Sequence, residues 1–334
     1  MKTDKYEYSP GYPIVRLRRL RKTSAIRDLV QETRLSVKNL ISPIFVQEGI
    51  DKRKTMESIP GIERIPPTEI IPEVEKISDL GIRGIILFGI PSKKNNKADS
   101  AFLKSGIVQN SVSTIRKHFG NKIAIITDVC LCQYTTHGHC GLMARGKIDN
   151  DTSVHTLAKV AISHAEAGTD MVAPSSMMDG QVKAIREGLD ERGHTDVAII
   201  GYSAKHASPL YGPFRDIACS HPQLGDRKTY QMSFANAREA MREIELDILE
   251  GADIIMIKPA IPYLDLIYQA KKATNLPICA YSVSGEYALV KAGSKMGLID
   301  EDEVIIEFMT AIKRAGADLI ITYFAKKTAS LLNE

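Results

Sequence analysis

The sequence has no apolar run approaching the ~20 residues that a membrane helix requires. Its N-terminus shows no apolar stretch long enough for a signal peptide. Net charge is scarce as well: 44 Lys and Arg against 40 Asp and Glu leave +4 over 334 residues. So small an excess gives no general argument for nucleic acid. Low-complexity segments and clear linkers are missing, and no glycine-rich dinucleotide fingerprint follows the first apolar segment. These absences predict a cytoplasmic globular chain with neither a membrane nor a nucleic-acid partner. Cysteines are few, five in all and an odd number. Without an export signal they do not read as a disulfide framework, and the clustering of Cys130, Cys132 and Cys140 reads as metal binding instead.

What is present is 44% hydrophobic and 25% charged, ordinary for a globular protein. Short apolar segments rich in β-branched residues recur at Leu40–Val46, Gly84–Gly89, Ile123–Val129, Asp170–Ala173, Val197–Tyr202, Asp253–Lys258, Pro277–Val283 and Asp318–Tyr323. They are near-continuous rather than alternating, as strands covered on both faces require. Stretches of helical period lie between them, at Thr68–Leu80, Ser153–Ala167, Gly180–Arg192, Ala235–Glu250, Tyr263–Thr274 and Glu301–Ala315. Several end in a glycine that leads into the next strand, and Gly251-Ala252-Asp253 recurs as Gly316-Ala317-Asp318, with Gly168-Thr169-Asp170 a close variant. Eight strand–helix units predict an α/β fold, a (β/α)8 TIM barrel, with a doubly wound open sheet as the alternative. Residues 1–38 read as an N-terminal arm for oligomer contacts, and residues 39–334 as a single catalytic barrel. The arm carries Arg16, Arg18, Arg19, Arg21 and Lys22, a solvated or subunit-facing basic stretch.

Barrel active sites lie at the carboxyl ends of the strands. Polar residues end six of the predicted strands: Asp128, Ser175 with Ser176, Lys205, Lys258, Ser284 and Tyr323. A lysine closing an apolar strand is desolvated, and a second ammonium nearby lowers its pKa further. A neutral amine can attack a ketone and form a Schiff base. Each lysine could instead pair with a carboxylate and serve only structure. The three thiols suit zinc, leaving a fourth position open unless His137 or His139 closes the shell. The long segment from Lys205 to Gln231 reads as a lid. Its Arg215 and Arg227 could clamp a carboxylate or simply be solvated. Glu243 and Asp247, four apart on a helix, could share a hard cation such as Mg²⁺, or form a solvated face.

Three stretches are distinctive together: Asp128-Val129-Cys130-Leu131-Cys132 through Cys140-Gly141, Tyr202-Ser203-Ala204-Lys205 continuing to Pro213-Phe214-Arg215, and Met256-Ile257-Lys258-Pro259. With Val283-Ser284-Gly285-Glu286-Tyr287 they closely resemble the porphobilinogen synthase (5-aminolevulinate dehydratase) family, and the resemblance spans nearly the whole chain. It implies a hydro-lyase that condenses two 5-aminolevulinate molecules to porphobilinogen with loss of two waters, in tetrapyrrole and haem synthesis. It also implies a homo-octamer. By the family pattern Lys258 holds the first substrate as a Schiff base, with Ser284 and Tyr323 on its carboxylate. Lys205 engages the second substrate, whose carboxylate falls to Arg215, Arg227 and Gln231, while Asp128 and Ser175 line the site. The retained cysteines imply catalytic Zn²⁺, and Glu243 matches the ligand of an allosteric Mg²⁺ found in some members. Ser176 is a variable spot, where aspartate or alanine is common in relatives. A simple Schiff-base aldolase, needing one lysine and no metal, and a catalytically silent zinc-dependent barrel are the competing readings.

Overall fold

The structure, a computed structural model, describes residues 11–333. The chain divides into two units, the first ending at Arg34 and the second starting at Leu35. In the first, Leu17–Arg21 forms a 3-10 turn and Ser24–Leu29 a short helix. Thr23 opens that helix, its hydroxyl accepting the Ile26 N–H at 3.2 Å. The basic residues Arg16 to Lys22 are exposed.

In the second unit every apolar segment is a strand: β1 Leu40–Gln47, β2 Gly84–Ile90, β3 Ala124–Val129, β4 Met171–Pro174, β5 Ala198–Lys205, β6 Ile254–Lys258, β7 Ile278–Ser282 and β8 Leu319–Thr322. They pair in chain order, all parallel, and β8 pairs back to β1. The barrel is closed, as expected, and the open-sheet alternative falls. Outside it run α1 Ile70–Asp79, α2 Ile107–Phe119, α3 Asn150–Ala167, α4 Gln181–Glu191, α5 Ala237–Leu249, α6 Leu264–Ala273, α7 Ser284–Lys295, α8 Glu301–Ala315 and α9 Ala325–Asn333. Because β2 lies between the barrel interior and these helices, all seven of its residues are buried, which is why its sequence does not alternate. Among the described residues no helix is long and apolar enough to cross a membrane.

The recurring glycine–aspartate word has a structural reason. Gly168, Gly251 and Gly316 end α3, α5 and α8 at φ of 101°, 100° and 125°, backbone that favours glycine. The aspartate two residues later then clamps the amino end of a neighbouring strand. Asp170 donates its N–H to the Ile125 carbonyl at 2.9 Å and accepts the Ile125 N–H on its carboxylate at 2.7 Å. Asp253 does the same to Ile199, and Asp318 to Ile278. Thus β3, β5 and β7 are each pinned by the residue leading into the following strand. These clamps hold the end of the barrel opposite the polar rim.

Candidate active site

The rim gathers the predicted residues from β3 to β8, and Asp128, Ser175, Lys205, Lys258, Ser284 and Tyr323 are all buried there. A register shift brings the two lysines together. Gly201 on β5 faces Ile255 on β6, but Ala204 faces Ile257 and Lys205 faces Lys258. One extra residue on β5 therefore forms a bulge. In unbroken register Lys258 would face Ala204, and Lys205 would point to the other face of the sheet. The bulge turns both amines the same way.

Aromatic rings surround the Lys258 Nζ. It lies 3.9 Å from the ring centre of Tyr281, with Phe214, Tyr202 and Tyr211 at 5.1, 5.2 and 5.4 Å. Burial, then the nearby charge of Lys205, push its pKa down to about 7, against the pull of Asp128. Lys205 donates to the Ser175 carbonyl. Neither lysine forms a salt bridge among the described residues. Asp128 is the carboxyl acting on both. Burial raises it above the usual range, while Ser175 and the two lysines oppose the shift.

The three cysteine sulfurs lie within 4.8 Å of one another, buried, with Cys130 and Cys132 3.3 Å apart. All three are free thiols. Both ring nitrogens of His139 are engaged elsewhere, by the Tyr230 hydroxyl at 3.0 Å and the Leu224 carbonyl at 2.7 Å. Among the described residues the ligand cluster contains neither histidine. Three soft ligands without a fourth protein donor fit zinc with one position left open. Burial pushes the Cys130 thiol up, whereas hydrogen bonds from Cys130 and Cys132 pull Cys140 down. Gln133 links this centre to the lysines' carboxyl: it accepts from the Cys132 thiol and donates to Asp128, both at 3.3 Å.

The segment read as a lid is ordered around a short helix, Gly212–Ile217, and covers the rim through Phe214 and Tyr211. Arg227 and Gln231 are buried and Arg215 is half-buried. The Nε atoms of both arginines and both amide atoms of Gln231 lack any partner despite being buried. Orphaned donors of this kind require a ligand or water, and a carboxylate suits them. Burial, then Arg227, lowers the pKa of Arg215. Ser284 is held from the lid: its hydroxyl accepts the Phe214 N–H at 2.9 Å and donates to the Leu210 carbonyl at 3.2 Å. The Tyr323 hydroxyl lies 3.3 Å from that of Tyr281.

Several contributors escaped the sequence reading. The aromatic cage did, as did Gln133 and Glu286. Glu286 is buried and accepts N–H groups from Val283 at 2.5 Å and Ile261 at 2.6 Å, tying the turn after Lys258 to the start of α7 beside Ser284. Its place three residues after Val283, where a helix-capping carboxylate sits, was the available signal. Glu243 stands apart from the lysines, on α5. With Asp247, Asp179, Glu239 and Gln231 it lines a cavity of about 1120 Å³. Burial, then Asp179 and Glu239, raise the Glu243 carboxyl, and burial raises Asp247 to about 7.

A closed parallel barrel with two amines and a thiol triad suited to a metal at its carboxyl rim has the layout of a barrel enzyme. The chain belongs to the delta-aminolevulinic acid dehydratase family, whose model matches residues 14–331. It is 53% identical over 321 residues to the delta-aminolevulinic acid dehydratase of Archaeoglobus fulgidus, covering 96% of this chain and 99% of that one. The enzyme of the same name from Halalkalibacterium halodurans is 50% identical, covering 96% and 97%. A crystal structure of delta-aminolevulinic acid dehydratase (porphobilinogen synthase) from Toxoplasma gondii in complex with the reaction product porphobilinogen superposes with a TM-score of 0.92 at 42% identity, covering 95% of this chain and 91% of that one. The activity is accordingly that of a lyase, the dehydrating synthesis of porphobilinogen on the way to haem and other tetrapyrroles.

Proposed function

We propose that this chain divides the condensation of two 5-aminolevulinate molecules between two unequal lysines. Lys258 is the first nucleophile. The observation that carries this is its Nζ, buried among four rings with a pKa brought to about 7. At neutral pH a sizeable fraction is free amine, which adds to the substrate ketone and forms a Schiff base with loss of one water. The Ser284 and Tyr323 hydroxyls hold that substrate's carboxylate. Lys205, across the bulge, engages the ketone of the second substrate. Arg215, Arg227 and Gln231, with donors otherwise orphaned, hold the second carboxylate. Asp128 and Ser175 complete the wall, and Asp128 takes up or returns protons beside the amines, a reading supported by the pull of both lysine charges on its carboxyl. Two substrates minus two waters give porphobilinogen.

Cys130, Cys132 and Cys140 would hold the Zn²⁺. When bound it supplies Lewis-acid polarisation of the second substrate. On Glu243 we place an activating Mg²⁺, supported by the carboxylates that crowd it. Self-association as a homo-octamer, with the 1–38 arm contacting another subunit, completes the proposal.

Borohydride added with 5-aminolevulinate, followed by peptide mass spectrometry, tests the central assignment. A reduced adduct on Lys258 is the expected result, lost in Lys258→Met. An adduct confined to other lysines would overturn it.

A further inference from the structure

Four carbonyls at or just beyond the end of the lid helix, those of Asp216, Ile217, Cys219 and Ser220, are each taken by a cationic side chain. Arg64 donates from Nε to Ile217 at 2.7 Å and from Nη2 to Asp216 at 2.5 Å. Lys94 donates to Cys219 at 2.5 Å, and Arg227 to Ser220 at 2.6 Å. The last carbonyls of a helix have no partner within it, and its carboxyl end carries partial negative charge, so cations there are stabilising. Two of the three cations come from outside the lid. Arg64 lies on the short strand Glu63–Ile65, which extends the sheet beside the carboxyl end of β1. Lys94 lies in the loop after β2.

Arg64 is 8% exposed and its hydrogen-bond acceptors are neutral, two lid carbonyls and the Gln47 amide oxygen at 3.3 Å, while its charge acts without a direct bond on the Asp216 carboxylate of the lid. A buried guanidinium with no carboxylate hydrogen-bonded to it is costly, and here two of its hydrogen bonds and the carboxylate its charge acts on all belong to the lid. We infer that Arg64 and Lys94 are positioning residues. They latch the carbonyl end of the lid helix to the barrel and so set Arg215, one residue upstream of the latched carbonyls, at the depth where it meets the second substrate's carboxylate. The inference rests on the proposed role of Arg215 and deepens it. Neither latch residue touches substrate. The far side of the lid is already fixed to the cysteine loop, where Gln223 donates to the His137 carbonyl at 3.0 Å and Arg227 to that of Gly138 at 2.9 Å.

The test uses full-length Lys94→Met, Arg64→Gln, Arg64→Lys and Arg215→Met. Steady-state kinetics, hydrogen exchange of the lid amides and borohydride trapping at Lys258 are read on each. Lys94→Met and Arg64→Gln should raise KM about tenfold with kcat within about threefold, the signature of a displaced binding group. Amides of residues 218–220 should exchange faster, Lys258 trapping should keep its rate, and Arg64→Lys should recover part of the loss. Lys94 is only half-buried, so its variant carries the test even where Arg64→Gln fails to fold. If Arg215→Met raises KM but Lys94→Met changes neither KM nor lid exchange, the latch is refuted while the carboxylate role stands. If Arg215→Met leaves KM unmoved, the carboxylate role falls and the latch's purpose falls with it.

Discussion

Lys258 would keep its proton if cation–π attraction decided the matter, because four rings face its ammonium. That attraction is worth about 2 kcal/mol when desolvated. Burial and the Lys205 charge act the other way and prevail, leaving a pKa of about 7. Two substitutions should move this balance in opposite directions. Lys205→Met removes a cation that disfavours the ammonium, so the Lys258 pKa should rise and the acid limb of the pH–trapping curve should shift to higher pH. Asp128→Asn removes the charge that favours the ammonium, so the limb should shift to lower pH. A pH series of substrate-dependent borohydride labelling on each variant checks both signs. The residue types at the rim were legible in the sequence because each closes an apolar strand. The caging rings were not, because they meet Lys258 from segments far apart in the chain, whereas Gln133 bonds its near neighbours Cys132 and Asp128 and is hidden because a glutamine beside a cysteine has no distinctive pattern.

Secondary-structure elements place these residues, and one irregularity matters most. The bulge in β5 leaves no residue signature, since Tyr202-Ser203-Ala204 would suit a regular strand equally well. The strands themselves, and the glycines that end α3, α5 and α8, were readable from apolar runs and the repeated glycine–aspartate word. Helices α2, α7 and α9 are not among the stretches of helical period read from the sequence, and α2 and α7 differ in why. Helix α2 does carry an apolar stripe, Ile107, Val108, Val112, Ile115 and Phe119, that the sequence offers, whereas α7 is interrupted by Gly285 and Gly293. The aspartate clamps make an element-scale prediction. Asp318→Ala leaves the Ile278 N–H without a partner inside the sheet and should cost about 1–3 kcal/mol in urea unfolding. Burial works against the Asp318 charge, yet Lys271 and the Ile278 N–H outweigh it and hold the carboxyl below its usual range. Its contribution should therefore be complete above the unfolded pKa and be lost as pH falls through the lower folded value. The gap between Asp318→Ala and the parent should then narrow at low pH.

At the scale of the whole molecule, the barrel holds two amines, a thiol triad and orphaned lid donors within one rim. The sequence made the triad legible by spacing alone, but the exclusion of His139 follows from its bonds to Tyr230 and Leu224, which only the fold reveals. A metal on the buried thiols binds the native state selectively, and at about 1,000 times its Kd such a ligand adds about 4 kcal/mol. Chelation should lower the thermal midpoint and abolish activity, and Zn²⁺ should restore both where Mg²⁺ does not. Rescue by Mg²⁺ alone would contradict the thiol assignment. The most direct test of the central claim remains the pH dependence of Lys258 labelling by 5-aminolevulinate and borohydride in the unmodified protein. The account predicts half-maximal labelling near the Lys258 pKa of about 7. A midpoint near the ordinary lysine value of about 10.4 would show a solvated ammonium and contradict it.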